Sequence, residues 1–107
     1  DIPTLIFDEI DTGISGRTAQ KVSEKLAYIA RTHQVICITH LPQIAAMADV
    51  HFLIEKRAWE GRTATAIRSL DRSEEVEELA RLLGGAKITD AVRQNAVEMK
   101  ELADRTK

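Results

Sequence analysis

Apolar residues along this chain fall into two rhythms, short unbroken runs and stripes at spacings of three and four, and their order lays out the fold. Thr4-Leu5-Ile6-Phe7, between Pro3 and Asp8, is an unbroken run of large or β-branched residues. Such a run predicts a strand buried on both faces, as in parallel sheets with helices above and below. After the two-glycine turn Thr12 to Gly16, Ser15 can cap a helix over about 17–32. In that helix Ala19, Val22, Leu26, Ile29 and Ala30 form one apolar stripe, and Lys21, Glu24, Lys25 and Arg31 take the other side. Gln34 to Thr39 is a second β-branched run, which ends at His40. Strand, helix and strand in this order make a βαβ unit with parallel strands and a right-handed crossover.

The second half predicts different elements. Leu41-Pro42-Gln43 opens a short helix through Met47-Ala48, with Pro42 in its first turn. Val50 to Lys56 and Thr63 to Leu70 are β-propensity runs separated by Arg57 to Arg62, which predicts a hairpin with a longer, Gly-containing loop. Phe52, Ile54 and Ile67 are its expected buried contacts, and Trp59 is expected exposed in the loop. Asp71 and Glu74 stand at capping-box spacing, with Ser73 as the alternative cap, and Val76, Leu79, Ala80 and Leu83 then make a stripe that stops at Gly84-Gly85. The acids Glu74, Glu75, Glu77 and Glu78 read as a solvated face near a helix N-terminus. Thr89-Asp90 can cap a last helix to about Arg105, with Val92, Ala96, Met99 and Ala103 on one side. The fold class is α/β: a partial parallel sheet with flanking helices, a β-hairpin and C-terminal helices, in one unit of 107 residues. A buried parallel strand that starts almost at residue 1 needs neighbours from earlier chain, so the sequence reads as an incomplete fragment.

This layout gives the polar residues between the elements a common address. In open parallel sheets ligands bind outside the carboxyl ends of the strands. Asp8, Glu9 and Asp11 follow the first strand there, and His40 follows the second. Two readings are open. The acids can cover the mouth of the sheet as ordinary loop residues, or they can hold a metal ion and activate a water. His40 can be a surface or capping residue, or it can share a site with the acids.

Bulk properties narrow the partners. With 44% hydrophobic and 30% charged residues the composition is that of a soluble globular protein, and a net charge of −2 gives no overall attraction to nucleic acid. The one cysteine, Cys37, excludes a disulfide framework and a zinc cluster and fits a reducing compartment. No apolar stretch approaches the roughly 20 residues that span a bilayer, and no signal-peptide pattern opens the chain, so the expected location is cytoplasmic with no membrane partner. At 4% aromatic residues, a stacking platform for single-stranded nucleic acid is disfavoured. Arg57, Arg62 and Arg68 are either a basic patch or solvated decoration of the hairpin.

Taken together, Leu5-Ile6-Phe7-Asp8-Glu9, the turn Asp11 to Gly16, and Ile38-Thr39-His40-Leu41-Pro42-Gln43-Ile44-Ala45 resemble the C-terminal part of an ABC/SMC-type ATPase head. More narrowly they are similar to its bacterial DNA-repair branch. The resemblance runs from about Pro3 to the end. It implies a P-loop NTPase C-terminal lobe containing the Walker B strand, the D-loop and the H-loop. Asp8 would then hold Mg²⁺, Glu9 would be the general base or water-positioning residue, and His40 would be the switch histidine at the γ-phosphate. The D-loop, Ile14 to Gly16, would contact the second head across an ATP sandwich, although Ser15 stands where an Asp is usual, and Asp8, Asp11, Ser15 and Gly16 would take part in binding the nucleotide.

Missing motifs complete the expectation. No G-x-x-x-x-G-K-[ST] loop is present, nor a Ser-Gly-Gly signature segment, nor coiled-coil heptads. By this resemblance the complete head would be a nucleoid-associated bacterial ATPase that uses ATP and Mg²⁺ in DNA double-strand break repair and recombination. This chain alone would bind neither cofactor and would be inactive. Its partners would be the N-terminal part of the head, a second head, and DNA through the full-length protein, and the uncovered sheet would self-associate. Two other readings are an interaction module that keeps the fold without chemistry, and a metal-dependent hydrolase using Asp8, Glu9, Asp11 and His40 directly.

Overall fold

A computed structural model describes residues 3–8 and 15–107, which form eight elements. Strand β1 (Thr4–Asp8) pairs in parallel with β2 (Gln34–Ile38), with Leu5 beside Val35, Phe7 beside Cys37 and Asp8 beside Ile38. Helix α1 (Gly16–Ile29) connects them. Ser15 caps it by accepting from the Thr18 amide at 3.3 Å, which satisfies one of the first-turn donors. The buried positions of α1 are Ala19, Ser23 and Leu26. Ser23 was not in the predicted stripe; its hydroxyl donates to the Gln20 carbonyl at 2.7 Å, so it enters the buried face with its polar group satisfied.

The parallel pair is not buried on both faces as predicted. Leu5, Phe7, Val35 and Cys37 are half-buried, whereas Ile6, Ile36 and Ile38 are 67%, 45% and 39% exposed. The reason lies in the layering. Successive side chains of a strand point to opposite faces, and only one face of this two-stranded sheet is covered.

The hairpin also departs from expectation. β3 (Phe52–Trp59) and β4 (Arg62–Ser69) are antiparallel and joined by Glu60 and Gly61 alone. Both turn residues have positive φ, 48° and 73°, which is the requirement of the tight turn whose twist matches its strands. Trp59 is exposed as expected, but as the last residue of β3 opposite Arg62 and not in a loop. Phe52, Ile54 and Ile67 are exposed, at 56%, 50% and 65%. The register puts Ile54 and Ile67 on one face, and the half-buried residues Leu53 and Glu55 lie on the other.

The core sits away from both sheets, among α2 (Pro42–Ala46), α3 (Arg72–Gly84) and α4 (Asp90–Thr106). Ala45, Ala46, Met47, Leu79, Ala80, Ala96 and Ala103 are buried together there. Small residues dominate, so the helices approach closely. Asp71 caps α3 in a reciprocal box with Glu74, and Thr89 caps α4 through the Val92 amide at 3.2 Å. The acidic run of α3 is not uniformly solvated. Glu75 is 8% exposed and faces Lys100 of α4, and the nearly buried Glu78 side chain pairs with Arg81.

Candidate functional site

The site is built at the carboxyl edge of the parallel pair. Asp8 ends β1 in register with Ile38, the last residue of β2, so Thr39 and His40 leave the sheet from the edge that Asp8 occupies. Both Asp8 and His40 are exposed. Thr39 then redirects the chain: its hydroxyl accepts from the Leu41 amide at 3.0 Å, which turns the backbone toward Pro42 at the first position of α2. The edge therefore offers a carboxylate at the end of one strand and an imidazole two residues past the end of its parallel neighbour, both open to solvent.

Ser15 and Gly16 open α1, the helix that leaves the same region of chain. At Gly16 a side chain would be crowded, because an added Cβ would stand 3.1 Å from Gln43 Nε2. The start of α1 is thus in close approach to the start of α2. Gln43 Oε1 is buried and accepts no hydrogen bond from the described residues. Of the residues singled out in the sequence, Asp8 ends β1, Ser15 caps α1, Gly16 opens it and His40 follows β2. Glu9 and Asp11 lie outside the described residues. Among the described residues no three His, Cys, Asp or Glu side chains gather into a metal-binding cluster.

Where α2 ends lies a buried charged network that the sequence reading missed. Lys100, 3% exposed, donates to the carbonyls of Ala46 at 3.0 Å and Ala48 at 2.9 Å, which are orphan acceptors at the end of α2. Its ammonium stands 3.8 Å from the buried Glu75 carboxylate and 3.9 Å from Asp104. Burial pulls the Lys100 pKa below its ordinary value, and Glu75 opposes that shift. Half-buried His51 is also pulled down by burial, against Glu75 and Glu78. The signal was present: Lys100 falls in step with Ala96 and Ala103 on the apolar face of α4, where a lysine needs buried partners. The arginines of the hairpin are not one patch, since Arg57 and Arg68 both pair with Glu55, and Arg68 also pairs with Glu74.

Fold and edge together define an α/β segment whose strand-helix-strand unit presents Asp8 and His40 at the carboxyl end of a parallel sheet. No protein-family model matches the chain. Over nearly its whole length, however, the chain is homologous to the C-terminal part of the DNA repair protein RecN. It is 46% identical over 107 residues to "DNA repair protein RecN" of Bacillus subtilis (strain 168), covering 100% of this chain and 19% of that protein. It is 48% identical over 101 residues to the protein of that name from Haemophilus influenzae, covering 94% of this chain and 18% of that protein. Mycobacterium tuberculosis (strain H37Rv) has one 46% identical over 100 residues, covering 94% and 17%. The chain thus spans less than a fifth of the length of these curated relatives.

Proposed function

We propose that this chain is the C-terminal, Walker B-containing lobe of a RecN-type ATPase head that acts in DNA repair. The observation that carries the reading is the shared edge: Asp8 ends β1 beside Ile38, the last residue of β2, and His40 follows two residues on, where an open α/β sheet binds its ligand. Identity to RecN proteins supports it independently.

The donor chemistry at the edge fits a hard cation. Asp8 is an exposed carboxylate, and Mg²⁺ is characteristically held by one or two carboxylates together with waters and substrate phosphates. When bound, Mg²⁺ would neutralise charge that develops on those phosphates. Glu9, the next residue, would accept the proton of the attacking water. His40 would donate from a ring N–H to a γ-phosphate oxygen, and Thr39 fixes the turn from which it reaches. Asp11, Ser15 and Gly16 would contact the nucleotide held between two heads. Phosphate cradling falls to the remaining N-terminal part of the head, so this chain would not turn over ATP by itself. Recombination of broken DNA in the bacterial cytoplasm, at the nucleoid, is the activity proposed for the full-length protein.

The test is ATP hydrolysis by the full-length protein. Glu9→Gln is expected to abolish turnover while retaining nucleotide binding, and Asp8→Asn is expected to lose Mg²⁺-supported turnover. Unchanged turnover in Glu9→Gln would overturn the assignment and favour a non-catalytic module with an ATPase-like fold.

A further inference from the structure

The hydrolytic edge makes no use of the far half of the hairpin. Residues 56–63 are all exposed, so this part of the β3–β4 ribbon is wet on both faces. Trp59 stands directly opposite Arg62 in the antiparallel register, and Arg57, two residues back along β3, lies on the same face. The indole is 56% exposed and the Arg57 side chain 69% exposed. Arg57 is tied only through an exposed pair with Glu55 at 3.2 Å, which costs little to exchange. Among the described residues Arg62 makes no ion pair. Residues 56–62 carry three cations, Lys56, Arg57 and Arg62, against one acid, Glu60, in a chain whose net charge is −2. The tip is therefore a positive end on an acidic molecule, with an aromatic residue directly across from Arg62 and two residues along β3 from Arg57.

We propose that this face binds single-stranded DNA, with one base stacked on Trp59 and the flanking phosphates held by Arg57 and Arg62. Charge alone would suit a duplex as well, but a duplex hides its base faces and would leave the indole without a partner. An unpaired strand uses both features, since bases stack on an aromatic ring while cations track the backbone. The low aromatic content excludes a platform of several rings, and a single stacked base needs only one. The proposal rests on the repair reading for its choice of DNA as the polymer, and it involves none of Asp8, Glu9 or His40.

The experiment is fluorescence anisotropy of the full-length protein with a labelled oligo-dT of about 16 nucleotides. Trp59→Ala is expected to weaken binding roughly tenfold, with Trp59→Phe restoring most of it. Arg57→Ala with Arg62→Ala should lower the slope of log affinity against log salt by about 1.4. Binding of a duplex of the same length should change little in Trp59→Ala and Trp59→Phe, and hydrolysis of ATP without DNA should be unchanged in all three variants. Undiminished oligo-dT affinity in Trp59→Ala, or an equal loss for the duplex, overturns the proposal. Loss of hydrolysis in Glu9→Gln is scored separately, so failure of the ATPase reading and failure of this one are distinguishable.

Discussion

Lys100 holds the end of the helix that follows His40, its ammonium 3.0 Å from the carbonyl oxygen of Ala46. A buried cation is tolerated there because two carbonyls and the Glu75 carboxylate take its protons' charge. Methionine at position 100 would fill the space but leave Glu75 buried without its cation. Lys100→Met should therefore destabilise the protein by about 3 kcal/mol, the range for breaking a buried pair. Adding Glu75→Leu should recover more than half of that loss, since an uncharged pair no longer has a stranded charge. Denaturant midpoints of the two variants check this, and equal losses in both would show that the pair matters only as packing.

The same network makes stability depend on pH through His51. Burial pulls its pKa below the ordinary 6.5, so the folded state binds its proton less readily than the unfolded chain. Stability is then full above about pH 6.5 and falls as the pH drops toward the folded-state pKa. Glu75 and Glu78 limit the depth of that fall, and Lys100 adds to it. The lowered pKa values of Glu55, Glu74 and Asp104 act at lower pH, below the ordinary carboxylate values. In His51→Gln the unfolding free energy should be flat between pH 5 and 7 where the natural chain slopes. A slope that survives the substitution would assign it to another group.

How much of this was legible beforehand depends on whether a residue's partner is local. The caps at Ser15, Asp71 and Thr89 are set by residues three positions away, and all three were readable. The parallel strands were readable too, because Leu5 to Phe7 and Val35 to Ile38 carry their own pattern. Glu75 was not, because its partner Lys100 lies on another helix and the four neighbouring glutamates look alike in sequence. Phe52, Ile54 and Ile67 misled for the opposite reason: apolar character says that a face wants cover, while this ribbon's apolar face stays largely exposed among the described residues. At the candidate edge, the parallel register that sets Asp8 beside the end of β2 follows from topology alone, whereas the approach of Gln43 to Gly16 required the packing of α1 on α2.

That approach can be measured. A Cβ at position 16 would meet the far end of the Gln43 side chain, which can move, so Gly16→Ala should change stability by less than about 1 kcal/mol. With Gln43→Ala in place the obstruction is gone, and the same change should stabilise by up to about 1 kcal/mol, as alanine does in a helix. A double-mutant cycle reads the coupling between the two positions. Strict additivity would mean that the helix starts are not in contact.

At the hairpin turn the strain is backbone, not packing. Glu60 is a non-glycine residue held at a φ of 48°, and Gly61 is at 73° with nothing near the place a Cβ would take. Gly61→Ala should cost about 1 kcal/mol through left-handed strain alone, since no clash accompanies it. Glu60→Asn should stabilise by a few tenths of a kcal/mol, because asparagine tolerates this region and suits the first position of such a turn. Hydrogen exchange of the β3–β4 ladder amides would register both changes. A neutral Gly61→Ala would show that the turn relaxes to another type.

The uncovered face of the parallel sheet carries the last prediction. Ile6 and Ile36 are direct neighbours across the ladder and both are exposed, with Ile38 two residues beyond Ile36 on the same side. Isoleucines side by side on a sheet face lose little when they meet water singly, but a contiguous patch favours association. The 107-residue chain should therefore self-associate as its concentration rises, and Ile6→Lys with Ile36→Lys should suppress that association by placing two cations on the patch. Folding stability should shift by no more than about 0.5 kcal/mol, because neither side chain is buried in the chain itself. Sedimentation across a concentration series decides between the outcomes. A natural chain that stays monomeric throughout would mean that this face is too small to pair with itself.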